Sequence, residues 1–467
     1  MVMIDFYVAS VAIFVVMLAI IVVKDRKNFT RESKVILLRK TQKGKKLLVS
    51  ITERCPRFWK WLGTIGVVVS LVASVYGVVM LLNLMVKSFF VKKAVGGLAL
   101  LLPTPTATPI IAPGLLAVPF WYWIISIGLL VLVHEGLHGI MAVREKVPVK
   151  SMGWGLLAVL PLAFVEPDEK VLQRKKPLPQ LRVFAAGSFA NFILAGIVLI
   201  LAINLSSGLM VPHGVDYLGN TVNYSAYKHN MTGVIIGVNS YDIKTDQDLS
   251  DAMEAIGPGK EVWVLTTNGT DNRFFILNTT DPPNVTYHPD FTDTVTMWME
   301  HVIPGTVDFS EWAGEKIYEF GGGQKIVSWG SIKDQINKWE YINATYPGLR
   351  KRSESKLSSL NAELAKRNDP GYLGIAYVSQ NYEIRDEFKP YKSQINFAGG
   401  LMFFLIIINF GVGIANMLPI KPLDGGRVWE IIFRKFFGKK LAKRLTNALG
   451  WATLLLIIMG FILPFVF

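Results

Sequence analysis

Long runs of apolar residues dominate the pattern of this chain and predict helices that cross a membrane. Six runs are close to the roughly 20 apolar residues that a helix needs to span about 30 Å of hydrocarbon. They lie at about residues 6–23, 62–86, 116–141, 183–204, 396–418 and 447–467. The connecting segments are shorter and more polar, except for the long segment 207–394. The pattern therefore predicts a polytopic α-helical membrane protein with one large domain outside the bilayer.

Two further stretches are apolar in part but do not fit a continuous spanning helix. Segment 103–114, PTPTATPIIAPG, is rich in Pro and Thr, which interrupt the helical hydrogen-bond ladder, so we expect an outer loop. Segment 150–167 is short and broken by Gly and Pro. It is consistent either with a re-entrant hairpin packed within the protein or with a loop on the membrane surface.

Composition supports the membrane assignment and limits the kinds of protein and of metal site that are possible. Of the 467 residues, 51% are hydrophobic and 18% are charged, whereas soluble domains carry about 25% charged residues. A disordered chain and an ordinary cytosolic enzyme are therefore excluded. The single cysteine, Cys55, excludes an intramolecular disulfide and a thiolate-rich metal site.

The distribution of charge predicts the orientation in the bilayer. Segments 24–60, 142–182 and 419–446 together carry a net charge of +20, whereas segment 207–394 carries −7. Positive loops face the cytoplasm, so we expect both termini and segment 207–394 outside it, with the first run kept as an anchor. The surplus of positive charge, +14 over the whole chain, then sits in cytoplasmic loops, and no nucleic-acid partner is expected.

The long outer segment is also enriched in N-x-S/T patterns. A glycosylated extracytoplasmic domain and a surface that is simply rich in Thr and Asn both fit this enrichment. The six asparagines are Asn223, Asn230, Asn268, Asn278, Asn284 and Asn343.

Two histidines and a glutamate form a candidate metal site inside the third run. His134 and His138 are four residues apart in H-E-G-L-H, so they share one face of a helix. Neutral imidazoles at this spacing can bind one divalent ion, and Glu135 beside them can take a proton from water. Three clustered ionisable groups are costly in a membrane helix, which favours function over chance.

A third ligand must come from another segment, because a catalytic zinc usually has three protein ligands. The remaining histidines all lie in segment 207–394, which we place on the opposite side of the membrane from His138. Asp424 in L-P-I-K-P-L-D-G-G follows the fifth run at the matching depth. Pro419 and Pro422 interrupt the helix there, so a carboxylate could be held at the turn.

Together these two motifs resemble the site-2 protease family of intramembrane zinc metalloproteases. The resemblance covers about residues 116–204 and 396–446, and it implies a membrane core with an associated β-rich stretch. It implies one Zn²⁺ per chain, held by His134, His138 and Asp424, with Glu135 as the general base.

The same resemblance suggests further site residues. The G-x-x-x-N pattern of the family corresponds to Gly187 and Asn191 in the fourth run. Asn191 could donate a hydrogen bond to the tetrahedral oxyanion, or the pattern could serve only helix packing. Asn416 and Pro419 match family positions that would position an extended substrate strand.

Residues 231–277 resemble a PDZ domain. Their pattern predicts strand, turn, strand, short helix, Pro-Gly turn and two more strands. Segment 370–378 could either close the same domain or lead back to the membrane. Segment 280–369 would be an insertion that is partly helical near 331–367. The domain could bind peptides at a sheet edge or limit access by bulk alone.

The sequence thus predicts an intramembrane zinc endopeptidase. It would cleave transmembrane helices near the cytoplasmic side, as in regulated intramembrane proteolysis. The alternatives are a membrane scaffold with a structural metal site and a peptide-binding domain, and, with less support, a transporter. The expected organisation is an N-terminal helix pair (1–115), the first protease part (116–206), the outer domain (207–394) and the second protease part (395–467).

Overall fold

A computed structural model describes residues 6–31, 36–41, 43–90, 98–112, 114–157, 160–220, 223–280, 286–287, 316–319, 325–328, 339–340, 343–344, 350–364 and 371–466. The chain divides into two units. The membrane unit comprises Met1–Ser206 and Tyr391–Phe467, and the inserted unit comprises Ser207–Pro390.

The helices and strands of the described residues have the following bounds. The α-helices are α1 (Phe6–Lys24), α2 (Lys43–Arg54), α3 (Pro56–Phe90), α4 (Phe120–Arg144), α5 (Glu169–Gln173), α6 (Pro177–Leu209), α7 (Ser225–Lys228), α8 (Asp246–Ile256), α9 (Arg350–Leu364), α10 (Lys392–Met417) and α11 (Asp424–Val466). The strands are β1 (Thr30–Arg31), β2 (Ile36–Lys40), β3 (Leu100–Thr104), β4 (Ile110–Ala112), β5 (Leu115–Pro119), β6 (Val149–Leu157), β7 (Leu160–Pro167), β8 (Met210–Asn220), β9 (Val234–Val238), β10 (Tyr241–Asp242), β11 (Glu261–Thr267), β12 (Asn272–Asn278), β13 (Thr286–Tyr287), β14 (Lys316–Glu319), β15 (Lys325–Ser328) and β16 (Ile375–Ile384).

Six described helices are long and apolar enough to cross a membrane, which confirms the predicted polytopic fold. They are α1, α3, α4, α6, α10 and α11. The last one is broken at Gly438, where φ is 72°. Its first part carries Asp424, and its second part corresponds to the sixth apolar run of the sequence.

A four-stranded antiparallel sheet lies beside α4 and includes the segment predicted as a re-entrant hairpin or surface loop. The strand order is β1-β2-β6-β7. The hairpin β6–β7 supplies two strands, and β2 comes from the basic segment near the N-terminus. Gly153 permits this pairing, because a Cβ there would lie 2.0 Å from the carbonyl oxygen of Arg39. The stretch therefore forms strands, as the family resemblance implied.

The segment before α4 is not helical, as its prolines predict. It forms a small three-stranded sheet in the order β3-β5-β4, with β3 parallel and β4 antiparallel to β5. The strands themselves were not expected from the sequence, which indicated only a loop.

Helix α3 is fastened to the other membrane helices by buried hydroxyl groups. Ser70 Oγ donates to the carbonyl of Ala185 on α6 at 3.1 Å, and Ser74 Oγ donates to the carbonyl of Met417 at 2.6 Å. Trp429 Nε1 on α11 donates to Ser74 Oγ at 2.9 Å. Both serines are fully buried. Since apolar surroundings offer no water, these bonds make α3 an integral part of the helix packing.

A buried ion pair joins the end of α4 to α6. Arg182 Nη1 lies 3.0 Å from Glu145 Oε1, with side-chain exposures of 8% and 9%. The Nε and Nη2 groups of Arg182 also donate to Thr64 Oγ1 on α3, at 3.1 and 2.9 Å. Three helices are therefore held at one polar cluster.

The inserted unit is built around one mixed α+β core. Its main sheet has the order β12-β11-β9-β8-β16, with β10 on β9. Within 231–277, the strands and the single helix α8 follow the predicted order. Thr245 and Asp248 form a capping box that starts α8, and backbone N–H donors, that of Thr245 first, lower the pKa of Asp248. Strand β16 returns to pair with β8, so the end of segment 370–378 joins this sheet.

The insertion between these parts is described only in places. The strands β13, β14 and β15 form a separate antiparallel sheet, and α9 lies within the stretch expected to be partly helical. Asn284, one of the six N-x-S/T asparagines, lies outside the described residues.

We predict that the substitution Glu145→Gln lowers the stability of the membrane unit. It leaves the buried guanidinium of Arg182 without its counter-charge, and breaking such a pair costs up to about 3–5 kcal/mol. Thermal unfolding in detergent would show a clearly reduced Tm. The matched control is Glu169→Gln, which removes a carboxylate from the exposed pair with Arg427, also at 3.0 Å; its Tm should stay near wild type. Equal shifts for both variants would contradict the assignment.

Candidate metal centre

Three ligand atoms from α4 and α11 converge on one point. His138 Nε2 lies 3.2 Å from His134 Nε2 and 3.1 Å from Asp424 Oδ2, and His134 Nε2 lies 3.6 Å from the same oxygen. Ligands placed 2.0–2.1 Å from a tetrahedral ion are about 3.3 Å apart. The donor set and its spacing therefore fit a zinc ion with one open position.

No other such group occurs among the residues that the structure describes. The histidines of the inserted unit that fall within the described residues have other contacts. His213 Nδ1 lies 3.5 Å from Glu383 Oε2, and His229 Nδ1 lies 2.9 Å from the carbonyl of Ser225. His288 and His301 lie outside the described residues.

His138 is oriented by a backbone carbonyl of α6. Its Nδ1 lies 2.7 Å from the carbonyl oxygen of Val183. A carbonyl only accepts hydrogen bonds, so Nδ1 carries the proton and the lone pair of Nε2 faces the cluster. Such outer contacts fix the tautomer and ring orientation of a metal-binding histidine. The sequence gives no sign of this contact, because it uses the main chain of Val183.

Asp424 is held in place by the turn between α10 and α11. Asn416 Nδ2 donates to Asp424 Oδ2 at 2.8 Å and lies 3.4 Å from His134 Nε2. Gly425 allows the chain to double back, since a Cβ there would lie 2.1 Å from the carbonyl oxygen of Met417. The charge of Lys421, in the same turn, is paired with Glu430 on α11.

Gly187 lies directly against the convergent nitrogens. A Cβ at this position would fall 2.3 Å from His138 Nε2 and 2.4 Å from His134 Nε2. A side chain would therefore enter the volume in which the ligand atoms meet. Glycine at this position keeps the site open while α6 packs against α4.

Glu135 reaches the neighbouring sheet. Its Oε2 accepts a hydrogen bond from the backbone N–H of Val165 on β7 at 3.0 Å. In the described sheet β7 is an edge strand. The carboxylate next to the two histidines is thus positioned by the edge of the membrane-associated sheet.

The remaining sequence-predicted residues lie at or near this centre. Asn191 Nδ2 is 3.1 Å from His134 Nδ1, on the opposite side of the ring from Nε2. Asn416 contacts Asp424, and Pro419 is buried in the turn, where its carbonyl faces Gly450. The structure therefore places the other predicted residues at this centre and Pro419 in the turn that leads to Asp424, whereas their individual roles stay predictions.

The family model of peptidase family M50 matches residues 122–460, which includes every one of these residues. The chain belongs to peptidase family M50. This confirms the resemblance to site-2 proteases. Helix α3 and strand β2 precede the region that matches M50, although both pack against it.

Two relatives point to the same chemistry. A protein of Clostridium acetobutylicum named "putative zinc metalloprotease" is 22% identical over 365 residues, covering 72% of this chain and 93% of the relative. A protein of the same description from Campylobacter jejuni is 22% identical over 368 residues, covering 72% and 89%. With its six apolar helices, this M50 member is a membrane metalloprotease.

We predict that Gly187→Ala removes the bound metal. The new methyl carbon would lie 2.3 and 2.4 Å from the two Nε2 atoms and so occupy the space of the ion. Zinc per purified chain should therefore fall from about one to well below half. Elemental analysis of the purified protein measures this ratio. The matched control is Gly196→Ala on the same helix, where a Cβ meets nothing within 4 Å. Full zinc content in both variants would show that the ion is bound elsewhere.

Proposed function

We propose that this M50 member is an intramembrane zinc endopeptidase that cleaves transmembrane helices of other membrane proteins. The observation that carries the proposal is the convergence of His134, His138 and Asp424 on membrane helices, with Glu135 beside them. When bound there, zinc supplies Lewis-acid polarisation of the scissile carbonyl and acidification of a water molecule.

The residues of the chain then perform the remaining steps. Glu135 accepts a proton from the attacking water and transfers it to the leaving amine. Its hydrogen bond to the Val165 N–H fixes the orientation of the carboxylate. The two histidines stay neutral, and each presents the Nε2 lone pair to the ion.

A transmembrane substrate must lose its helical hydrogen bonds before its carbonyl can be attacked, because a helix keeps each carbonyl bonded internally. Small polar or helix-breaking residues near the cleaved bond lower this cost. Strand β7 is an edge strand, and its Val165 N–H bonds Glu135. The unwound substrate segment would lie extended beside this strand. Asn416 and Pro419 are the further candidates for holding it.

Charge favours one orientation of the enzyme in the membrane. The basic segments place both termini and the inserted unit outside the cytoplasm, with the metal centre near the cytoplasmic side. Cleavage there releases a fragment to the cytoplasm, as expected for regulated intramembrane proteolysis.

The inserted unit is a PDZ-like filter in this proposal. Strand β16 is one of the two edges of its main sheet as described, and α8 lies beside it, where the Asp246 N–H donates to Gln380 Oε1 at 3.2 Å. A peptide could add to the sheet between them.

The competing scaffold function does not explain Glu135, since a structural metal site needs no proton acceptor.

We predict that Glu135→Gln strongly slows cleavage and leaves zinc bound. Loss of the general base should reduce the rate by about 10²–10⁴-fold, whereas the three ligands are unchanged. Purified wild type and variant would be given a panel of transmembrane-helix substrates, with zinc measured on the same samples. The control, Glu166→Gln, alters a neighbouring exposed carboxylate on β7 that bonds Ser151, and it should cleave normally.

Two results would contradict the proposal. A well-folded wild-type protein that contains no metal would show that the proposed catalytic metal site does not exist. Equal cleavage by wild type and Glu135→Gln would show that Glu135 is not the base.

A further inference from the structure

The asparagine of the G-x-x-x-N pattern has an unusual environment for an oxyanion donor. Asn191 is completely buried. Its Nδ2 lies 3.1 Å from His134 Nδ1. Its Oδ1 is buried and finds no hydrogen-bond partner among the residues that the structure describes. Buried polar atoms are nearly always hydrogen-bonded, so the contact with His134 decides which end of this amide faces the ring.

The proton on His134 identifies that contact. The Nε2 of His134 faces the other ligand atoms, so as a metal ligand it must be unprotonated, and the proton of the neutral ring lies on Nδ1. An N–H group cannot donate to the NH₂ group of an amide. The oxygen and nitrogen of an asparagine differ little in shape, and their assignment follows from the hydrogen-bond network. Turning the amide by 180° places Oδ1 against the Nδ1–H of His134.

We propose that Asn191 is a positioning residue that accepts the Nδ1–H of His134 and thereby directs Nε2 to the zinc ion. This inference rests on the proposed metal site. Asn191 then contacts the metal-binding residue His134 and not the substrate oxyanion.

The arrangement on α6 supports the assignment, because both histidines have an acceptor behind the ring. Val183, Gly187 and Asn191 follow one another at intervals of four residues, so they lie along one face of the helix. The Val183 carbonyl is 2.7 Å from His138 Nδ1, and the Asn191 amide is 3.1 Å from His134 Nδ1. Gly187 between them faces both Nε2 atoms. One helix face therefore orients both rings and leaves space for the ion.

An oxyanion donor would need a different position. The oxyanion forms on the side of the ligands where the metal and the attacking water meet, which is the Nε2 side. The Asn191 amide contacts the opposite side of the His134 ring. The two roles also need opposite chemistry: positioning needs the amide oxygen as an acceptor, and oxyanion stabilisation needs the amide N–H as a donor.

Asn191→Asp separates these roles, because it keeps an acceptor oxygen and removes the N–H donor. Asn191→Leu removes both at similar size, and Asn191→Ala removes both without added bulk. The readouts are zinc per chain, the rate of zinc release to a chelator in excess, and cleavage of a transmembrane-helix substrate. Asn204→Ala is the control on the same helix, since that amide bonds the Ile200 carbonyl of its own helix.

We expect the Asp variant to release zinc within a few-fold of the wild-type rate and to cleave substrate. The Leu and Ala variants should release zinc about 10–100-fold faster, as is typical when the partner of a metal-binding histidine is lost. The control should match wild type. Thermal unfolding of each variant identifies any that fails to fold, and the Asp variant compared with wild type then still decides the question.

Three results would overturn the inference. Normal zinc release by the Asp variant together with lost cleavage would identify Asn191 as a donor to the substrate. Unchanged zinc release in the folded Leu or Ala variant would show that His134 needs no such acceptor. Wild-type protein that is folded but holds no zinc would overturn the proposed function itself, and the positioning role with it.

Discussion

The structure depends on bringing Asp424 to within 3.1 Å of His138, across 286 residues of chain. Neither α4 nor α11 alone can bind a catalytic metal ion, so the site exists only when the membrane helices are packed in one register. Inside a membrane this register cannot be fixed by hydrophobic burial alone, since lipid is as apolar as the helix surfaces. Close approach at glycines and hydrogen bonds between helices must fix it instead.

Helices α3 and α6 provide most of these contacts. On α6, Gly187 allows contact with the two histidines, and the Val183 carbonyl orients one of them. On α3, Ser70 bonds α6, and Ser74 bonds the end of α10 and Trp429 on α11. Helix α3 lies outside the region that matches M50, so a helix from beyond that region also stabilises the packing around the metal centre. The inserted unit has its own core and closes its sheet independently with β16.

The sequence was most informative where a residue pattern is rare outside one kind of structure or chemistry. Long apolar runs predicted all six helices, and H-E-x-x-H with L-D-G predicted the residues that converge. It was least informative where the main chain acts or where distant segments pair. The carbonyl of Val183 has no side-chain signal, and the pairing of β2 with β6 joins segments more than a hundred residues apart. Asn191 was found from its motif, but its contact with the far side of His134 required the helix packing.

Two imidazoles and one carboxylate are proposed to bind a zinc ion inside the membrane unit. X-ray absorption at the zinc edge of the purified protein would identify the atoms around that ion. We expect a four-coordinate ion with only nitrogen and oxygen neighbours at about 2.0–2.2 Å, including the scattering pattern of two imidazole rings. A sulfur neighbour at about 2.3 Å, a site without imidazole, or folded protein that retains no zinc would contradict it.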